Sequence, residues 1–488
     1  EKMQKIADIR YAAALLQWDQ ETYMPKKGAD FRSRQVATLS EFAHQKFTDK
    51  SLGDLIRTLS FSGELPEKER ANVKLSLEDY ERSTRLTPAF VREMAETVSE
   101  SFNAWIRARE ENNFTIFAPS LAKLVNLKRK EAELLGFKAH PYDALLNEFE
   151  RGCTVELLDG IFNQLREPLN QLIKKIAASE QVDDSFLFQH FPKDEQWKFG
   201  MELLAEFGYD LEAGRQDISE HPFTVSFNNK DVRVTTRIDE FNFNNMTWSC
   251  IHEIGHALYE QGLPEEEYGL PLGEAASLGI HESQSRLWEN NVGRSIAFWE
   301  YYYPRLKKYF PRQLGEIDLS QFYKAINKVQ PSLIRTEADE VTYHFHVMIR
   351  YELEKKLIAG EIEVNDIRDY WNDQYLTYLG VQVPDDKSGC LQDVHWSHGS
   401  FGYFPTYSLG SFYAAQFFNK AQDVLPGLNN MISSGNLRVL LEWLRVNIHV
   451  HGRMFTSEEL CRRICGEGLN TTYFMDYIHN KYGRIYVI

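Results

Sequence analysis

The chain has 488 residues, 43% of them hydrophobic and 26% charged, the balance of an ordinary water-soluble protein. Its formal net charge of -16 argues against a nucleic-acid binder, because contact with a phosphate backbone needs clustered Lys and Arg. Five scattered cysteines (Cys153, Cys250, Cys390, Cys461 and Cys465) form no disulfide framework and predict a reducing cytoplasm, while no apolar run approaches the roughly 18 residues of a membrane span. The chain opens on Glu1 rather than methionine, so its native start is expected upstream.

From Lys2 to about Lys130 the pattern is helix after helix, broken at Met24 to Gly28, Ser62 to Pro66 and Leu86 to Pro88. The aromatics of this region are expected to be core. Helical runs follow over Thr154 to Ala178 and Lys193 to Phe207. The β signal is Phe223 to Phe227, a turn at Asn228-Asn229-Lys230, then Asp231 to Arg237, which reads as an antiparallel hairpin. Such a strand can present its edge to an extended peptide, or serve only as structure. With no Gly/Ser or Pro-rich linker, residues 1–488 are expected to form one helical body with two lobes, although length alone suggests two to three domains.

Next comes Trp248 to Glu260, containing His252-Glu253-x-x-His256. Two imidazoles four apart on a helix share one face and can grip a single divalent ion. Glu253, on the neighbouring position, would reach water at such an ion as a general base. Asn244, Asn245 and Thr247 offer caps for this helix, and Gly262 and Pro264 a stop. A hydrolytic zinc site wants three protein ligands and an open position. A second helix, Gly273 to Ser285, folding back across a short loop, would bring Glu282 as the third ligand, with Glu274 and Glu289 as rival carboxylates. His281 points about 100° away from Glu282 and is expected to support or pack rather than ligate. Zinc suits this donor set best; cobalt or manganese could replace it.

Helices are expected again over Ser295 to Tyr309, Leu319 to Val329, Ser332 to Ala359 and Val364 to Tyr378. On the third of these, Arg335 and Asp339 stand four apart, either as an exposed ion pair or with Arg335 receiving a substrate carboxylate. His344 and His346 are expected to pack. The polar stretch Val383 to Tyr407 lies on irregular backbone, where sites are often built; His395 and His398 are candidates to line a cleft there. His395, Tyr403 and Tyr407 are alternative donors to a carbonyl oxygen that gains charge during hydrolysis. His449 and His451 with Cys461 and Cys465 have the wrong spacing for a second zinc.

Several of these motifs together resemble the M32 metallocarboxypeptidases of the thermostable type. The resemblance is carried by His221-Pro222-Phe223, Asp231 to Thr235, His252 to His256, His281 to Gln284, Ile334 to Asp339 and Gly389 to Trp396, with Gln17 to Pro25 and Asn447 to Gly452 in support. Val450 stands where a basic residue is expected. The resemblance implies a mostly α, saddle-like fold around a deep groove, shared in outline with neurolysin and angiotensin-converting enzyme, and a homodimer. It implies His252, His256 and Glu282 as metal ligands, Glu253 as the catalytic carboxylate, and release of single C-terminal residues from peptides with a free C-terminus. It further implies that the segments around His221 and Arg233 help close the groove, and that Arg233 and Arg335 are the leading anion binders. Two rival readings are an endo-acting oligopeptidase on the same metal set and a non-catalytic helical binding protein with a structural zinc.

Overall fold

The computed structural model describes residues 1–488 and is helical throughout, apart from one three-stranded sheet. The chain divides into two compact units, each assembled from three segments. One comprises 1–83, 182–326 and 413–470; the other comprises 84–181, 327–412 and 471–488. No helix is long and apolar enough to cross a membrane.

In the first unit, helices α1 (Lys2–Thr22) and α2 (Ala29–Phe47) pack as a hairpin, followed by α3 (Lys50–Ser60) and α4 (Glu67–Arg85). Ile6, Ala43, Phe47, Leu52, Ile56 and Tyr80 form their shared core. The second unit opens with α5 (Pro88–Glu110), α6 (Phe114–Leu135), α7 (Pro141–Phe149) and α8 (Val155–Ala177). The chain then returns to the first unit with α9 (Lys193–Phe207) and strands β1 (Gly214–Ile218), β2 (Thr224–Asn228) and β3 (Asp231–Thr236). The β2–β3 hairpin lies where alternation placed it, antiparallel, with Thr224 opposite Val234. Strand β1 was not expected: Gly-Arg-Gln-Asp-Ile carries no apolar alternation. It adds in parallel on the far side of β3, leaving β2 as an open edge.

Helix α10 (Phe243–Glu260) begins earlier than its expected caps. Asn242 accepts the Asn244 N–H at 3.1 Å, and Asn244 instead takes the Trp248 indole N–H at 2.9 Å. The reason is burial: Phe243 and Met246 extend the apolar face of Ile251, Ile254 and Leu258 by one turn, so the helix forms wherever that face can be covered. Helix α11 (Leu278–Arg286) starts late, because Pro271–Gly273 makes a tight turn and Ser277 caps the Ile280 N–H at 3.0 Å. It continues as a widened π-type coil over Leu287–Gly293. Gly255 is what allows α11 to lie on α10: a Cβ there would sit 2.5 Å from Ser285 Cα and 2.7 Å from the Gln284 carbonyl. The unit continues through α12 (Ile296–Tyr309), α13 (Pro311–Leu314) and α14 (Leu319–Ala325).

The helix expected from Ser332 starts only at Tyr343, as α15 (Tyr343–Ala359) in the second unit, followed by α16 (Ile367–Leu379). Asp339 is the cause. Its carboxylate accepts the backbone N–H groups of Val341 and Thr342, as a helix N-cap does, together with the Gln330 N–H and the Thr342 hydroxyl, and its carbonyl accepts the Tyr343 N–H at 3.0 Å, so the helix is started here and not at Ser332. Arg335 and Asp339 therefore do not share a helix face, and no ion pair joins them. Arg335 sits on a short turn, Arg335–Glu337.

Candidate active site

Helix pitch puts His252 and His256 on one face of α10, and the close approach at Gly255 brings Glu282 of α11 over them. Their ligand atoms all lie within 4.8 Å of one another. Glu282 Oε2 is 3.6 Å from His252 Nε2 and 3.4 Å from His256 Nε2. Two bonds of about 2.1 Å at a tetrahedral angle place their donors about 3.4 Å apart, so the set has the size and chemistry to hold one divalent ion.

Each ring is held from behind. His252 Nδ1 donates to Glu289 Oε2 at 2.9 Å, which leaves its Nε2 lone pair facing the other ligand atoms. His256 Nδ1 meets His281 Nδ1 at 2.5 Å, and His281 Nε2 meets Glu260 Oε1 at 2.8 Å. The relay from Glu260 through His281 orients His256 in the same sense. Of the rival carboxylates, Glu289 is thus an orienting partner, and Glu274 pairs with Arg453 at 3.3 Å. Glu282 is gripped by Arg286 Nε on Oε1 at 2.7 Å and by the Ser285 hydroxyl on Oε2 at 2.9 Å.

Burial on its own would raise the Glu282 pKa, but Arg286 and the two histidines hold it well below the usual carboxylate range. Glu289 is likewise buried and is brought down to about 2 by Arg286, His252 and Arg294. Burial would lower His252, yet Glu282 and Glu289 outweigh it and raise it. His256 is pushed down to about 3, first by burial and then by His281. Glu253 is 6% exposed, and burial raises its pKa against the opposing pull of His252 and Thr224. The Thr224 hydroxyl, at the start of β2, donates to Glu253 Oε2 at 2.6 Å.

The other expected residues fall into two groups. In the first unit, Arg233 on β3 forms a fork onto Asp231 (2.8 Å for both bonds), and its guanidinium lies over the rings of Trp18 (4.4 Å) and Phe227 (5.0 Å). His221 is exposed between β1 and β2, its carbonyl accepting the Ser219 hydroxyl at 2.6 Å. In the second unit, Arg335, His395, Tyr403 and Tyr407 gather around Asp393. Arg335 donates to Asp393 Oδ1 at 2.8 Å and Arg350 to Oδ2 at 2.6 Å. His395 Nε2 is 3.1 Å from the Tyr407 hydroxyl, and Tyr403 packs 5.2 Å from the His395 ring. Burial, then Arg335 and Arg350 against the pull of Asp393, pushes His395 down to about 3. His344 and His346 are packed inside, and His449 faces Gln284 at 3.0 Å rather than the cysteines.

Several contributors were not legible beforehand. Arg286, at i+4 from Glu282, carried a readable spacing signal. Asp393 lay within the Gly389 to Trp396 motif but without a named partner, and Thr224, Glu260 and Arg350 carried none, since nothing local says which distant group each meets.

A helical protein presenting two imidazoles, one gripped carboxylate and an adjacent buried glutamate is of the metal-dependent hydrolase class. Comparison with known proteins narrows this. The family model for carboxypeptidase Taq (M32) metallopeptidase matches residues 1–482. The chain is 42% identical to thermostable carboxypeptidase 1 of Thermus thermophilus, covering 100% of this chain and 98% of that protein. It is 39% identical to carboxypeptidase 1 of Bacillus subtilis, covering 100% and 97%. The crystal structure of the M32 carboxypeptidase from Deinococcus radiodurans superposes with a TM-score of 0.98 at 39% identity, covering 100% of this chain and 98% of that one. The chain belongs to the M32 metallopeptidase family, and is a metal-dependent carboxypeptidase.

Proposed function

We propose that the protein is a zinc carboxypeptidase that removes single C-terminal residues, with broad side-chain tolerance, from peptides with a free C-terminus. The observation that supports this best is the convergence of His252, His256 and Glu282 on one ion-sized space with Glu253 beside it but outside the ligand set. His252 and His256 would hold the ion through Nε2, and Glu282 through Oε2. A divalent ion held there supplies Lewis acidity toward a peptide carbonyl and acidifies water.

Glu253 is the proton carrier: Thr224 holds its Oε2, Oε1 accepts the proton from attacking water, and the same carboxyl returns it to the leaving amine. Burial suits it to this task, because a raised pKa brings proton uptake and release closer to neutral pH. Tyr403, Tyr407 and His395 are the proposed donors to the carbonyl oxygen. For the terminal carboxylate, Arg335 is a better candidate than Arg233. Arg335 and Arg350 share the single carboxylate of Asp393, whereas Arg233 is matched one to one by Asp231. His221 and Arg233 are retained as groove-closing residues on the resemblance alone. In this proposal residues 1–488 act as one peptidase domain, homodimeric and cytoplasmic; the five cysteines, all free thiols, support a reducing compartment.

The decisive experiment is digestion of an N-blocked dipeptide with a free carboxyl end, with chelator, and with zinc, cobalt or manganese restored. Hydrolysis should stop with chelator and return with metal, and amidating the carboxyl end should abolish it. Equal cleavage of the amidated peptide would identify an endopeptidase instead, and hydrolysis unaffected by chelator would overturn the metal scheme. Sedimentation and cell fractionation check the dimer and the compartment.

A further inference from the structure

A cavity of about 630 Å³ opens beside the metal-ligand set, lined along one wall by β2 from Thr224 to Asn228. Two of its residues are one hydrogen bond from the site: Thr224 holds Glu253, and Glu260 holds His281. Strand β2 is the open edge of its sheet. The Phe223 carbonyl accepts the Thr235 N–H at 2.9 Å, and antiparallel pairing repeats every second residue. The backbone groups of Val225 therefore face β3, and those of Thr224 and Ser226 face outward. An extended peptide whose reacting carbonyl lies near Glu253 can run along this edge toward Asn228 at about 3.3 Å per residue. Where only one residue is released, nearly all of the peptide lies on the amino side of the cut, and the cavity meets that side.

The cavity's lining is unbalanced in charge. Glu260, Glu265 and Glu274 face it, with Lys230 as its single cationic lining residue; Arg453, 3.3 Å behind Glu274, is shared with Asp79 and so only partly offsets it. Lys230 lies 3.4 Å from Glu265, both side chains exposed, a weak pairing. The rings of Tyr11 and Tyr268, 5.8 Å apart, form another wall. Tyr11 feels the carboxylates: burial, Glu274 and Glu260 push its phenol up to about 12. Carboxylates and aromatic faces around one space are a receptor for an ammonium or guanidinium group. We propose that this cavity selects peptides carrying lysine or arginine two to four residues before the cut bond. The inference rests on the carboxypeptidase reading and adds the class of peptide it prefers.

The test uses N-acetylated peptides of one length and one C-terminal residue, with Lys, Gln or Glu third before the cut. The expected order of kcat/KM at low salt is Lys above Gln above Glu, with about tenfold between the extremes, shrinking as salt is raised. Calorimetry on the metal-free protein should give the same order of binding. Glu265→Gln with Glu274→Gln should bring the Lys-to-Glu ratio toward one while hydrolysis of the blocked dipeptide, too short to reach the cavity, is unchanged. Glu265→Gln alone, at an exposed position, gives a partial loss of preference and keeps the test open if Glu274→Gln unfolds the protein. Equal rates for Lys and Glu, or a ratio untouched by the variants, overturns the inference. Should the dipeptide still be cut in that event, the carboxypeptidase reading stands; if no free-carboxyl peptide is cut, both fall.

Discussion

Two buried polar clusters, one in each unit, are charged in opposite senses. Around the candidate metal-ligand set, the carboxylates of Glu282 and Glu289 meet the guanidiniums of Arg286 and Arg294, while Glu253 and Glu260 have no guanidinium partner, which leaves carboxylates in excess. Around Asp393, two guanidiniums meet one carboxylate, which leaves one positive charge over, since His395 is held neutral by burial. Unmatched charge inside a protein is costly, and an ion of the opposite sign arriving from outside would relieve it. The first suits a cation, the second an anion. The lesson is that surplus charge, rather than charge as such, separates a candidate binding group such as Arg335 from a matched one such as Arg233.

The largest expected effect comes from breaking the first cluster at Glu253, which stands beside the candidate ligands without being one of them. Glu253→Gln should cut peptide hydrolysis by about a thousandfold while metal content, measured by elemental analysis, is unchanged. A loss of metal would move Glu253 into the ligand set. In the second cluster, Arg350→Met removes the donors to Asp393, Gln392 and the His346 carbonyl. It should lower stability by about 3 kcal/mol or more, read as a fall in Tm, because three acceptors of the buried cluster each lose a donor at once.

A third buried carboxylate sharpens the contrast. Glu354, one turn beyond Arg350 on α15, has no cation among its hydrogen-bond partners: Trp396 Nε1 and the Gly402 N–H donate to it, each at 2.8 Å, together with the Tyr142 hydroxyl. Burial pushes it up to about 7 from the ordinary 4.5 despite these donors. With the folded value above the unfolded one, stability is full below about pH 4.5 and falls as pH rises toward about 7, by roughly 3 kcal/mol. Glu354→Gln should flatten the pH dependence of Tm across that window, and an unchanged profile would show that the group is already ionised. The smallest effect should come from Glu289→Gln, which loosens His252 without touching a ligand atom. A 10- to 100-fold weaker zinc affinity, measured by competition with a chelating dye, is expected.

The expected helices and the hairpin were legible because periodicity is written locally. Where expectation and structure part, a specific partner decides, distant or near. Strand β1 exists because β3 offers it an edge, and α15 starts late because Asp339 caps the Val341 and Thr342 N–H groups there. The start of α10 moved for a similar reason, since Phe243 and Met246 found cover.

The sequence by itself determined the pair of rings and the glutamate beside them, because 3.6 residues per turn leaves His252 and His256 no choice but to share a face. It also made Glu282, on a following helix, the leading candidate to join them, with Glu274 and Glu289 as rivals. Only the tertiary structure decided that Gly255 would let that helix settle at ligand distance, and that Glu289, Glu260 and Thr224 would hold the working side chains. Only it decided that Arg335 would answer to Asp393 rather than Asp339. A helix repeat is a property of neighbouring residues, whereas a partner's identity is settled by which surfaces of a long chain can be buried together.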